Sequence, residues 1–158
     1  MHVLVLGIGN PILRDDGIGP RVISELQERV SSPDIIMEET SLAGMSLVEV
    51  LSGYTHAIII DAIQTGQKPG TLYRLTPDSF QPSDAELISQ HRIGILEALR
   101  CGKDLGLEMP EEVVFIAVEA DDVTTFGEGL TPALEKAVPA AVDAVIAELE
   151  LIGYPAEK

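Results

Sequence analysis

The stretch HVLVLGIGNPILRDDGIGPRV, His2 to Val22, reads as a strand, a glycine loop and the start of a helix. His2–Leu6 is a short apolar run of the kind that forms a buried strand. From Ile18 onward, Ile18, Val22, Ile23, Leu26 and Val30 recur at helical spacing. Between them lies Gly7-Ile-Gly-Asn-Pro-Ile-Leu-Arg-Asp-Asp-Gly-Ile-Gly19, with glycines at the positions a tight strand-to-helix turn requires.

The same grammar repeats downstream. Ile35–Met37 is a short second strand, and Ala43–Leu51 is compatible with a second helix. Ala57–Ile60 is a third strand, apolar on both faces, and Val113–Val118 has the same character. Such strands suit a parallel sheet covered on both sides. Leu134, Val138, Ala141, Val142, Val145 and Leu149 form a long helical stripe. Thr131–Pro132 is its expected start, and Pro139 is expected to kink or divide it.

One connection breaks the alternation. The segment between Asp61 and Leu72 contains Gly66, Pro69 and Gly70. It is too short and too broken for a helical crossover between parallel strands. Thr71–Leu75 is therefore expected to run antiparallel, with Thr76–Gln90 as a surface loop holding one helical turn. The expected fold is α/β, a three-layer sandwich: a mostly parallel mixed sheet with helices on both faces, in one domain over residues 1–158.

Composition narrows the function classes. At 158 residues, a chain can bury roughly two-thirds of its unfolded surface and needs no disulfide or structural metal. The single cysteine, Cys101, cannot form an internal disulfide. The formal net charge of −16 repels nucleic acid. No apolar run approaches the ~20 residues of a membrane helix, and no basic leader precedes His2–Leu6. The chain is read as cytoplasmic, with neither nucleic acid nor membrane as a partner.

Ligands in open α/β sheets bind beyond the carboxyl ends of the parallel strands. That edge receives Asp15 and Asp16 from the first loop, Glu38 and Glu39 after strand two, Asp61 at the end of strand three, and Glu119, Asp121 and Asp122 after Val118. Clustered carboxylates suit a cation. His2 and His56 lie at the amino ends of strands. His91 does not; it opens an amphipathic segment, where the helix dipole favours the neutral imidazole that a metal takes, although a lone histidine is more often structural than a ligand. Taken alone, Asp15 or Asp16 reads equally well as a helix cap.

A dinucleotide site is disfavoured, because Ile12 occupies the place of the third fingerprint glycine and the acidic pair would repel a pyrophosphate. The chain has no HExxH zinc motif and no G-x-S-x-G elbow. Cys101 sits in or at the end of the His91 helix, away from the acidic edge, and reads as packing.

The opening VLGIGNPILRDDGIGPRV resembles the signature of the hydrogenase maturation proteases, peptidases of nickel–iron hydrogenase large subunits. Asp61 in IIIDAI, the Pro69-Gly70 turn and His91 in SQHRIG follow in the same order. The resemblance spans nearly the whole chain. It implies Asp16, Asp61 and His91 as nickel ligands and catalytic groups. Gly9, Asn10 and Glu39 are implied as substrate-binding residues. It implies an endopeptidase that removes the C-terminal tail of the large-subunit precursor after nickel insertion. The nickel is expected to be carried by that precursor, and other divalent metals can fit the same ligands. A non-cleaving nickel checkpoint would show the same trio.

The chain departs from the family pattern in two places. Asp16 stands where relatives often carry glutamate. Thr40 and Ser41 stand where many carry two glycines after the aspartate that Glu39 replaces. No serine or cysteine nucleophile stands out, which leaves a metal-assisted or carboxylate-assisted water attack.

Overall fold

The computed structural model describes residues 2–42, 44–79 and 90–155. Among these residues, five strands form one sheet: β1 (Val3–Ile8), β2 (Ile35–Thr40), β3 (His56–Ile63), β4 (Leu72–Leu75) and β5 (Glu112–Glu119). Among the described residues, four helices cover it: α1 (Ile18–Arg29), α2 (Ser46–Leu51), α3 (Gln90–Asp104) and α4 (Pro132–Leu151). The strand order is β2-β1-β3-β5-β4. All neighbours are parallel except β4, which runs antiparallel to β5. The expected three-layer sandwich with a mixed sheet is what the chain forms.

Strand alternation divides the core in two. Val3 and Val5 of β1, Ile58 and Ile60 of β3, and Ile116 and Val118 of β5 pack with α1 and α4. Leu4, Leu6 and Ile8, Ala57 and Ile59, and Val113 and Phe115 pack with α2 and α3. Each fully buried Ile or Leu contributes about 1.5–3 kcal/mol by leaving water. The apolar-on-both-faces reading of β3 and β5 follows directly from this double burial.

The glycine loop has a steric reason. A Cβ on Gly7 would lie 2.5 Å from the carbonyl oxygen of Gly19, and one on Gly19 would lie 2.8 Å from the carbonyl oxygen of Ile60. Helix α1 thus enters pressed against the backbone of β1 and β3, closer than any side chain allows.

Several sequence expectations are corrected. Strand β2 runs on to Thr40, so Glu38 and Glu39 lie within it and face opposite sides of the sheet. Strand β3 runs on to Ile63, so Asp61 is inside a strand and buried. Helix α2 begins at Ser46, and Ala43 lies outside the described residues. Thr131 is the N-cap of α4 and Pro132 opens it, as expected, but Pro139 does not divide the helix. Pro139 is exposed, so water can satisfy the carbonyl that its missing N–H leaves free. The helical turn expected in Thr76–Gln90 is present as a 3-10 turn at Pro77–Ser79, and residues 80–89 lie outside the described residues. Among the described residues, no helix is long and apolar enough to cross a membrane.

Candidate active site at the carboxyl edge of the sheet

The loop after β1 bends through Gly9, whose φ of +149° suits glycine. A Cβ there would lie 1.8 Å from the carbonyl oxygen of Asp16. The backbone of Asp16 therefore rests on Gly9, and the backbone amide of Asn10 donates to Asp16 Oδ2 at 2.7 Å. Asn10 also turns the loop locally, its Oδ1 accepting from the Ile12 amide at 3.2 Å. Among the described residues, Asp16 Oδ1 accepts no hydrogen bond. The half-buried Asp16 sits in a 3-10 turn, Arg14–Gly17, which packs on β3.

Asp61 is on that strand. It is 1 % exposed, and it shares the parity of Ala57 and Ile59, so its side chain lies on the α2/α3 face. Ala117 of β5 and Tyr73 of β4 continue the same cross-strand row.

His91 falls in the first turn of α3, and its side chain lies outside the described residues. The helix around it is located by Gly94, where a Cβ would meet Leu47 Cδ1 at 3.6 Å and the Gly44 amide nitrogen at 3.7 Å. Gly44 belongs to the loop that leaves the carboxyl end of β2. The start of α3 thus packs beside the loop after β2, at the carboxyl edge of the sheet that also carries the β1 loop and the end of β3. Among the described residues, no three His, Cys, Asp or Glu side chains converge as a metal site.

Much of the acidic edge is occupied in holding the fold. Asp15 is fully buried. Its carboxylate accepts from the amides of Asp121 (2.8 Å), Asp122 (3.0 Å) and Thr131 (2.8 Å), and from the Thr131 hydroxyl. Helix α1 has no side-chain cap; Asp15 instead tethers the loop between β5 and α4. The Arg14 guanidinium donates to the Glu128 carbonyl, and Leu13 forms a bridge with Gly127. Glu119, 1 % exposed, accepts from the Thr65 amide at 2.8 Å, the Thr65 hydroxyl and the Tyr73 hydroxyl at 3.0 Å. Asp122 accepts from the amides of Thr124 and Thr125. The Thr125 side chain first, and then the Thr125 and Thr124 amides, lower its pKa to about 2 by donating to the charged form. Of the buried or half-buried carboxylates expected to gather a cation, Asp15, Glu119 and Asp122 are committed to neighbouring donors. Sequence reasoning missed the roles of Asp15 and Glu119 because their partners are distant in the chain; Asp122 is bound by its own near neighbours Thr124 and Thr125, a local turn that the sequence does carry.

Gly9 and Glu39 do come together. With Pro11, Pro20, Thr40 and Ser41 they line a groove of about 190 Å³. Glu39 lies on the α1 face of the sheet, opposite to Asp61. His2 and His56 are at the amino edge, beside Asp34 and Thr55 respectively. Cys101 is half-buried in α3 and packs against the α2/α3 core.

Residues 20–148 match the family model described as hydrogenase maturation protease. The chain belongs to the hydrogenase maturation protease family. The hydrogenase 2 maturation protease of Escherichia coli is 32% identical over 158 residues, covering 99% of this chain and 95% of the relative. The hydrogenase expression/formation protein HoxM of Cupriavidus necator is 31% identical over 89% of this chain and 70% of its own length. Among solved structures, the hydrogenase maturating endopeptidase HybD from E. coli superposes with a TM-score of 0.84 at 30% identity, covering 97% of this chain and 94% of that one. The NiFe hydrogenase maturation protease HybD from Thermococcus kodakarensis superposes with a TM-score of 0.74 at 25% identity, covering 94% and 99%. Like these maturation proteases, the chain is a peptidase. The family match contains Asp61 and His91 but begins after Asp16.

Proposed function

We propose that this maturation protease removes the C-terminal tail of the precursor of a nickel–iron hydrogenase large subunit once nickel is in place. The observation that carries the reading is its near end-to-end similarity to the hydrogenase 2 maturation protease of E. coli. Asp16, Asp61 and His91 are the residues proposed to meet the nickel of the precursor. Two carboxylates and an imidazole are hard-to-borderline donors suited to that ion. The nickel is part of the substrate and selects the loaded precursor; other divalent metals fit the same donors.

The Asn10 amide fixes Asp16 Oδ2 and leaves Oδ1 as the oxygen to offer. Asp61 is held inside a strand, which fixes its position more tightly than a loop would. Hydrolysis then proceeds by attack of water on the scissile carbonyl, with a carboxylate of this site accepting the proton. The Gly9–Asn10 loop and Glu39 line the path of the substrate chain. The site of action is the cytoplasm.

The test is the intact mass of the precursor after incubation with the protein, with and without nickel loading. Loss of a tail from the nickel-loaded form alone is expected. An unchanged mass in a stable complex would overturn tail removal.

A further inference from the structure

Strand β2 is an edge strand, and its pairing phase can be read from two bonds. The Val3 amide donates to the Asp34 carbonyl at 2.9 Å, and the Gly9 amide donates to the Thr40 carbonyl at 3.0 Å. In a parallel pair the N–H and C=O of one residue point to the same side. Residues 34, 36, 38 and 40 therefore face β1, and 35, 37 and 39 face outward. The Ile35 amide is taken by Ser32. Among the described residues, the N–H and C=O of Met37 and Glu39 have no protein partner.

This open edge ends at the groove lined by Gly9, Glu39, Thr40 and Ser41. Gly9 is hydrogen-bonded to Thr40 on one side and carries the backbone of Asp16 on the other. A chain laid along β2 is thus led to the loop that holds Asp16. A peptidase must hold its substrate extended, and a sheet edge does this through main-chain bonds that need no particular sequence.

Charge selects the occupant. Glu38 and Glu39 are both exposed, one on each face of the edge. Like charges set directly opposite each other destabilise a strand pair, so two copies of this acidic edge repel, the usual protection of an edge strand. A strand carrying basic side chains meets the opposite condition.

We infer that the outer edge of β2 is a substrate-docking site, where an extended, basic segment of the precursor tail pairs as a sixth strand with Met37 and Glu39. This rests on the peptidase reading above.

Amide hydrogen exchange of the protein, alone and in complex with nickel-loaded precursor, tests it. The Met37 and Glu39 amides are expected to slow by at least about tenfold in the complex, the change that about 1.4 kcal/mol of protection gives. Glu39→Pro removes the outward donor while leaving the β1 pairing intact, since edge strands tolerate proline there. It should weaken precursor binding by roughly tenfold, and more than Glu39→Ala, which keeps the N–H. Thermal melting checks the fold of both variants. Unchanged exchange at both amides in a saturated complex would overturn the inference, as would equal binding by the two variants when both are folded. Protection at both amides in a complex that is never cut would support the edge site and count against tail removal, so the two failures are separable.

Discussion

Thr131 donates twice to Asp15, through its amide at 2.8 Å and through its hydroxyl, across 116 positions of sequence. The next residue, Asp16, receives the Asn10 amide instead. The adjacent aspartates of the family signature therefore do different things. Asp15 closes the edge loops into one unit, and Asp16 is held within the β1 loop itself.

Asp15→Asn should destabilise the protein by about 2–4 kcal/mol, because it sets an NH₂ donor against buried amide donors. Thr131→Val should cost about 1 kcal/mol by removing one of the two donors. Urea denaturation of the single variants and the double variant measures both, and the two losses should fall short of adding. Full additivity would mean that the contact is not energetically coupled.

Asp16→Asn, Asp61→Asn and His91→Ala should each lower the rate of precursor processing by at least about 100-fold. Asp16→Asn should change stability by no more than about 1 kcal/mol, in contrast to Asp15→Asn. Cys101→Ser should process normally. Precursor cleavage followed by mass, beside thermal melting, reads all four; normal cleavage by the Asp61 and His91 variants would remove the proposed site.

Gly9→Ala should abolish processing and destabilise the fold by roughly 2 kcal/mol or more, since the new methyl would occupy the place of the Asp16 carbonyl. Gly53→Ala is the control. That glycine also has positive φ, but nothing lies near its Cβ position. It should show only backbone strain of about 1 kcal/mol and normal cleavage.

The Asp122 carboxyl should titrate at about 2, below its ordinary value of 3.8, because Thr125 and Thr124 donate to its charged form. Its folded value is depressed, so its contribution to stability is present above pH 3.8 and is lost as pH falls through about 2. A carboxyl titration followed by NMR checks this. Thr125→Ala should move the midpoint back toward 3.8; a midpoint already at 3.8 in the unmodified protein would show the turn to be unformed in solution.

The alternation of strand and helix, the antiparallel fourth strand and the start of α4 at Thr131–Pro132 were legible in the sequence. These follow from local period, turn residues and connection length, and each acts over a dozen residues or fewer. The ends of β2 and β3 were misjudged because the polar residues Glu38, Glu39 and Asp61 look like strand terminators. An edge strand tolerates glutamates facing water, and a sheet holds Asp61 in register through its neighbours β1 and β5. Pro139 was expected to break α4, but a proline on the solvent side of a helix packed along its other face loses one bond and keeps the core.

The candidate site divides along the same line. Local patterns along the chain specify the α/β order, the glycine positions at which α1 meets β1, and the ordered set of Asp16, Asp61 and His91 that carries the family likeness. Only the tertiary structure decided which carboxylates are committed elsewhere. Asp15 and Glu119 look as available as Asp16 in the sequence, yet their donors reach them from other strands and loops. The structure also decided that Glu39 and Asp61 lie on opposite faces of the sheet. The physical reason is that a hydrogen bond depends on where two atoms lie in space, and in a folded sheet the atoms that meet are set by strand order and register, which no short window of sequence contains.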